Sequence, residues 1–477
     1  MSVGAASRLG GQTSCERVRL PHFHHHETAV VVWLGSERIC CPKEVNSAMT
    51  LASSERTATA TDIIAELVGI ESGTPLAELR ARRPEAMLHA QGSYRALFDP
   101  EENTGLSAVE RFAVALRVAV HHAASEASAH YRRRLVEAGA SPELVAAASG
   151  SESGAAETHQ GRVSERLGAL LRHADLLSTH PVDAEADDLQ ALADAGLATE
   201  EIVTLSQAIA FVSFQARVIR ALQLIGGETA ARASESDAAH ASRAGAGGAN
   251  RAARGASDPP SIAIGSPPTR KPAEIVRPAG PLDSPTAFTV RQLAWEPWLR
   301  PLEPADATPR QAVALEAIRG NSPYFRLLAR DAEVLRERTA TDRGIFYTPG
   351  GAPRAERELA AAATSRLNGC IYCASVHARL SAQLSKRHDD IDRVLLKGVE
   401  PGTDLELDDR WQAIVDASVA LARTPSTATI GHVARLREVG LGELEILDVL
   451  QAAAFFSWAN RLMLSLGEPN FPESTEA

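Results

Sequence analysis

One stretch of this chain brings together side chains able to do redox chemistry: Asn368-Gly369-Cys370-Ile371-Tyr372-Cys373-Ala374-Ser375-Val376-His377. Asn-Gly tolerates the left-handed conformation of a helix stop, so one helix is predicted to end there and the next to begin at Cys370. A thiol at a helix N-terminus feels the positive end of the dipole and unpaired N–H groups, which favour thiolate. Cys370 and Cys373 are i, i+3, which sets their Cβ atoms about 5–6 Å apart in a regular helix. A disulfide needs about 3.5–4.5 Å, so a small adjustment of the first turn closes one. His377 follows on the same face, four residues after Cys373. The stripe offers a nucleophile, a second thiol to resolve it and a proton carrier.

Glu358 stands twelve residues before Cys370. An antiparallel hairpin would bring its carboxylate beside His377, to orient the imidazole and exchange protons with it. A plain exposed carboxylate near a helix start is the other reading. The cysteines have other readings too. A CxxC is half a zinc site, but no second pair follows, and His388 lies outside the usual ligand spacing. A thioredoxin-like site needs a βαβ context, which is missing. Buried cysteines with a purely structural role would be inert.

The elements that must position these residues are helices. Glu303–Arg319, Asn321–Arg338, Arg354–Leu367, Ile371–Ser385, Asp408–Ala422, Ile430–Val439 and Glu443–Leu466 carry a 3.6-residue apolar period punctuated by Gly and Pro. Residues 57–230 read the same way, with helices at Thr61–Leu67 and Pro84–Phe98 and a capping-box pattern at Ser107–Glu110. Composition agrees: the 477 residues are 44% hydrophobic and only 4% aromatic, and Ala is abundant, which favours helix over sheet. A net charge of −11 argues against a nucleic-acid partner. The longest apolar run, Ala29–Leu34, is too short for the ~20 residues of a membrane span. Five cysteines in so long a chain make no disulfide framework, which points to a reducing, cytoplasmic setting.

Residues 1–48 differ from the rest, with Cys15, Cys40, Cys41 and the run His22-Phe23-His24-His25-His26. They match neither a signal peptide nor a zinc pattern, and a disordered leader ahead of a start at Met49 is expected. Residues 231–280 are dominated by Ala, Gly, Pro and Ser without one aromatic, and read as a disordered linker. The domains expected are therefore 49–230 and 281–477. An internal repeat links them: Gln207-Ala-Ile-Ala-Phe-Val-Ser-Phe-Gln-Ala-Arg217 aligns with Gln451-Ala-Ala-Ala-Phe-Phe-Ser-Trp-Ala-Asn-Arg461 at a spacing of 244, which also pairs Pro181 with Pro425.

The stretch from Glu358 through Cys370, Cys373 and His377 resembles the alkylhydroperoxidase D / carboxymuconolactone decarboxylase superfamily, whose peroxidase branch has Glu, CxxC and His at this spacing. The resemblance covers about 285–470 and, more faintly, 57–230. It implies an all-α fold of two tandem alkylhydroperoxidase-D-like helical domains, assembled as a homo-oligomer. It further implies that Cys373 is the peroxidatic thiol, Cys370 the resolving thiol, and His377 with Glu358 the proton relay. The expected substrate is an organic hydroperoxide and the expected reductant a dithiol, lipoylated or thioredoxin-like, with no cofactor or metal. Tyr372 departs from the family, where many peroxidases have His immediately before the second cysteine. The first copy departs further. No cysteine occurs between Pro42 and Gly369, so the 49–230 domain is read as degenerate, with His121, His122 and His130 left for decarboxylase-type chemistry. A carboxymuconolactone-decarboxylase-like lyase or isomerase, or a redox-responsive structural protein, are the rival functions.

Overall fold

The computed structural model describes residues 62–101, 105–150, 164–240, 271–278, 280, 282–318, 322–400 and 402–472. The leader at 1–48, with its cysteine and histidine clusters, and most of the linker lie outside the described residues. In the first half the helices are α1 (Ile63–Val68), α2 (Pro75–Ala81), α3 (Pro84–Phe98), α4 (Ala108–His121), α5 (Ser125–Glu137), α6 (Pro142–Ala148), α7 (Glu165–Thr179), α8 (Ala186–Asp194) and α9 (Thr199–His240). In the second they are α10 (Pro309–Ile318), α11 (Pro323–Leu328), α12 (Ala332–Phe346), α13 (Arg354–Leu367), α14 (Ile371–Ser385), α15 (His388–Lys397), α16 (Asp409–Ala422), α17 (Ile430–Glu438) and α18 (Glu443–Ser465). The fold is all-α apart from one ribbon, in which β1 (Ala294–Pro297) runs antiparallel to β2 (Gly467–Asn470), with Ala294 opposite Asn470.

Local chemistry sets the boundaries. Asp62, Thr74, Ser164 and Asp408 accept hydrogen bonds from first-turn amides, and Ser107 with Glu110 closes the expected capping box. The periodic run 321–338 is two helices rather than one. The chain breaks after Leu328, and Asp331 caps a new start by accepting from the Val334 amide. The linker also begins later than its composition suggests. Residues 231–240 continue α9 because the segment is rich in Ala and contains no Pro. At the other end of the linker, Ala273 donates to the Leu197 carbonyl and Val276 to that of Trp298, so this part is tied to the core. One helix, within Thr199–Gly227, is long and apolar enough to cross a membrane, and it is wholly buried inside the protein. Its apolar surface is core.

The two halves share that core, and Thr59–Ala477 forms one compact unit. α9 packs on α18, and α3 packs on α12. Gly344 permits the second crossing, since a Cβ there would run into the backbone of Ala86. Equivalent contacts recur in the two halves at or near a spacing of 244. Arg217 Nη2 donates to the Ala422 carbonyl at the end of α16 (2.5 Å), and Arg461 Nη2 donates to the Ser178 carbonyl in the last turn of α7 (3.1 Å). Each guanidinium thus sits where a helix carries its negative end. Just before α3, Arg83 binds Asp448 through Nε (2.6 Å) and Nη2 (2.7 Å). Just before α12, Asp331 accepts from the Thr204 hydroxyl (2.7 Å). Arg166 joins Glu110 to Glu201 as Arg410 joins Glu356 to Glu445.

Asp448, fully buried, accepts from Arg83 and from the Ala352 amide and forms an ion pair with Arg357. Removing it strands two buried guanidinium groups. Asp448→Ala is expected to lower unfolding free energy by about 3–5 kcal/mol, and Thr204→Ala by about 1 kcal/mol, measured as shifts in the urea midpoint at constant slope.

Candidate active site

The thiols are positioned by the hairpin of α13 and α14. α13 presents five successive fully buried residues, Leu359 to Ala363, four of them Ala, so its neighbours approach closely. It ends at Asn368. Gly369 alone is left-handed, with φ of 76°, and the Cys370 amide turns back to the Ser365 carbonyl at 3.0 Å. Cys370 is therefore the residue that caps α14, in extended rather than helical geometry, and Cys373 lies in the first turn. Both thiols are free and buried, at 1% and 5% exposure.

The hairpin brings Glu358 to His377. Glu358 has no exposed surface; its Oε2 meets His377 Nδ1 at 2.5 Å and its Oε1 accepts from Arg354 Nε at 2.5 Å. Burial alone would raise this carboxyl, but His377 and Arg354 together outweigh it and hold it below the ordinary carboxylate range. With Nδ1 committed to Glu358, Nε2 is the ring nitrogen left to take or give a proton. Phe456 of α18 packs edge-on against the imidazole, ring centroids 4.1 Å apart.

The helix-dipole argument made from the sequence does not set the state of Cys373. Burial, and after it the adjacent Cys370 thiol, push its thiol well above the ordinary value, while Asn460 and Arg338 pull the other way. Cys373 therefore rests as a thiol, and a base must remove its proton. Tyr372 is pushed up to about 12, mainly by burial and then by Cys373, so it stays a neutral phenol at pH 7. A cavity of about 210 Å³ reaches Cys370, lined among others by Trp295, Tyr372, Met463, Leu464 and Glu468. The β-ribbon supplies part of that lining through Trp295 and Glu468.

Sequence reasoning missed Asn460, Arg338 and Tyr324. Asn460 bonds Ser365 Oγ (3.0 Å) and Asn368 Nδ2 (2.9 Å), tying α18 to the turn before Cys370. A signal for it was present: at the repeat spacing its counterpart is Ala216, so the polar residue occurs only in the half that has the thiols. The first half has none of the relay. Arg111 binds the Leu106 carbonyl as Arg357 binds that of Ala352, which fixes a local spacing of 246. At that spacing Phe112, Ala124, Ala127 and Tyr131 face Glu358, Cys370, Cys373 and His377. The three histidines singled out in the first half are each bonded to a different residue: His121 to Asp175, His122 to Ser213 and His130 to Tyr94. Burial pushes His122 well down and His130 down to about 4, which leaves both neutral. Among the described residues no three His, Cys, Asp or Glu side chains come together as a metal-ligand group.

Because pairing lowers the Glu358 pKa on folding, its contribution is present above the unfolded value and is lost as pH falls through the lower folded value. Glu358→Gln is expected to cost about 1–3 kcal/mol at pH 7, with the gap to the parent closing below about pH 4. Paired thermal melts from pH 3 to 8 measure both.

No curated protein matches this chain. Among solved structures, an uncharacterized peroxidase-related protein from Silicibacter sp. TM1040 is similar at 23% identity, over 34% of this chain and 88% of that one, with a TM-score of 0.29. Residues 332–406, the stretch that carries Arg338, Glu358, Cys370, Cys373 and His377, match the carboxymuconolactone decarboxylase family.

Proposed function

We propose that the C-terminal half is a thiol-dependent peroxidase of alkylhydroperoxidase type, acting on organic hydroperoxides. The observation that carries this reading is the buried Glu358–His377 pair, 2.5 Å apart, on the same hairpin as two free thiols. His377 Nε2 takes the proton of Cys373, and Glu358 stabilises the resulting imidazolium. The thiolate attacks the terminal peroxide oxygen; an S–O bond forms, the O–O bond breaks, and the leaving alkoxide takes a proton to become the alcohol. Sulfur is oxidised to sulfenic acid. Cys370 then attacks that sulfur, water leaves, and a disulfide forms, which an external dithiol reduces. The non-helical backbone at Cys370 suits this step, because its sulfur is not held to helical spacing.

The cavity beside Cys370 supports a narrow dithiol, such as a lipoyl arm or the active-site thiols of a thioredoxin-like protein, as the reductant. A reducing compartment, the cytoplasm, follows from the same chemistry. The two halves are read as related copies paired within one chain, the first of which kept its packing and lost its chemistry; a homo-oligomer of such chains is part of the proposal.

The family match favours a second reading, a lyase or isomerase that uses His377 and Glu358 and spares the thiols. The two separate cleanly. With cumene hydroperoxide and a dithiol reductant, Cys373→Ser is expected to abolish turnover, and Cys370→Ser to stop after one oxidation with a sulfenic acid that dimedone traps. Turnover by Cys373→Ser at the parent rate would remove the peroxidase assignment.

A further inference from the structure

Arg338 is the anomaly of the core. It sits in the middle of α12, is 5% exposed, and forms no hydrogen bond or ion pair among the described residues; its Nε is fully buried without a partner. The guanidinium lies instead among aromatic rings, 5.1 Å from the centroid of Phe455, 5.8 Å from Trp458 and 5.9 Å from Tyr324. Other buried arginines in this protein are bonded, Arg83 to Asp448, Arg217 to Ala422 and Arg357 to Gly350. A cation left unbonded in a protein interior is strongly unfavourable, and cation–π contacts offset only part of the loss. The Tyr324 hydroxyl is likewise buried without a partner.

Both orphaned donors belong to the thiol site. Phe455 and Trp458, which flank Arg338, alternate along α18 with Phe456, which packs on His377, and are followed by Asn460, which lies against Cys373. Residues 455–460 span about 8 Å of helix, so guanidinium, imidazole and thiol gather along one short segment. Tyr324 packs on Trp295, which lines the cavity that reaches Cys370. The groups around Cys373 are Cys370 and Tyr372 on the α14 side with His377 one turn on, Arg338 from α12, Tyr324 from α11 and Asn460 from α18. Asp342, one turn beyond Arg338, makes no ion pair with it among the described residues, and burial raises that carboxyl towards its neutral form. No anion within the described protein claims the Arg338 charge.

We infer that Arg338 is an electrostatic positioning residue, kept unpaired so that its charge, helped by the Tyr324 hydroxyl, becomes the partner of the Cys373 thiolate once that thiol has lost its proton. The inference deepens the peroxidase reading and rests on it for its purpose, because a nucleophilic thiolate needs such a partner. Its test does not depend on peroxide. In the resting thiol state the cation is uncompensated, and ionisation of Cys373 relieves both groups together.

The test is alkylation of Cys373 by iodoacetamide across pH 6–10, in the full chain carrying Cys370→Ser, with Cys373 followed by peptide mass. Arg338→Met is expected to raise the midpoint of reactivity by about one pH unit and to slow alkylation at pH 7.5 about tenfold. Its melting temperature should hold or rise, because an unpaired buried charge has gone. Arg338→Lys should recover most of the rate, and the isosteric Tyr324→Phe should slow alkylation about threefold. An unchanged midpoint in Arg338→Met, or in Tyr324→Phe if the Met variant does not fold, would overturn the inference. A lower melting temperature with an unchanged midpoint would mark Arg338 as merely structural, which overturns it too. Failure of the parent to consume hydroperoxide, with the Arg338 dependence intact, removes the peroxidase reading alone.

Discussion

The packing of α18 on every side is the constraint from which the rest of the molecule follows. Its residues from Leu444 to Met463 are buried apart from one partly buried position, Glu445, and a helix apolar around its whole circumference has no stable place except inside others. α9 of the first half covers one face and α13, α14 and α16 cover others. Each polar side chain that α18 carries into the interior must then find a partner there or leave a cost behind. Asp448 finds Arg83 and Arg357, Arg461 finds the end of α7, and Asn460 finds the turn before Cys370. The first half is needed for this burial, since α9 covers a face of α18 that the second half leaves open.

The same burial defines the chemistry. In a dry interior a charge interacts far more strongly than at the surface, so small differences in pairing decide which groups ionise. Glu358, given both Arg354 and His377, stays charged despite having no exposed surface. Cys373, buried and set beside a second thiol, is held as the neutral acid. A carboxylate ready to support an imidazolium and a thiol reluctant to ionise are two halves of one proton-transfer arrangement. Arg338 is the exception that remains, a cation with rings around it and nothing bonded to it.

Comparison of the halves separates what packing requires from what the site requires. The Arg166 and Arg410 carboxylate clusters, the Arg111 and Arg357 carbonyl clamps and the reciprocal arginines Arg217 and Arg461 occur in both. These hold helices together and are indifferent to catalysis. Glu358, Cys370, Cys373, His377 and Asn460 have apolar or aromatic counterparts, and the left-handed turn that Gly369 makes is made by Ala123 in the first half.

Periodicity and caps by themselves determined the helical class, the limits of α13 and α14, and the one-turn spacing of Cys373 and His377, because all of these are local consequences of a 3.6-residue turn. The capping box at Ser107 was legible for the same reason. The break between α11 and α12 and the small β-ribbon were not, since each depends on what the segment packs against rather than on its own pattern. The sequence could offer Glu358 only as a candidate partner for His377; the hairpin decided it by burying the carboxylate where no water can replace the imidazole. It put the thiolate-favouring helix start at Cys370, whereas the balance at Cys373 is set by burial, a property of the whole fold, which keeps that thiol protonated. Arg338 and Tyr324 carry no motif at all. Their place beside the thiols comes from α11, α12 and α18 meeting in space, and desolvation, which exists only after that meeting, gives an ordinary arginine its significance.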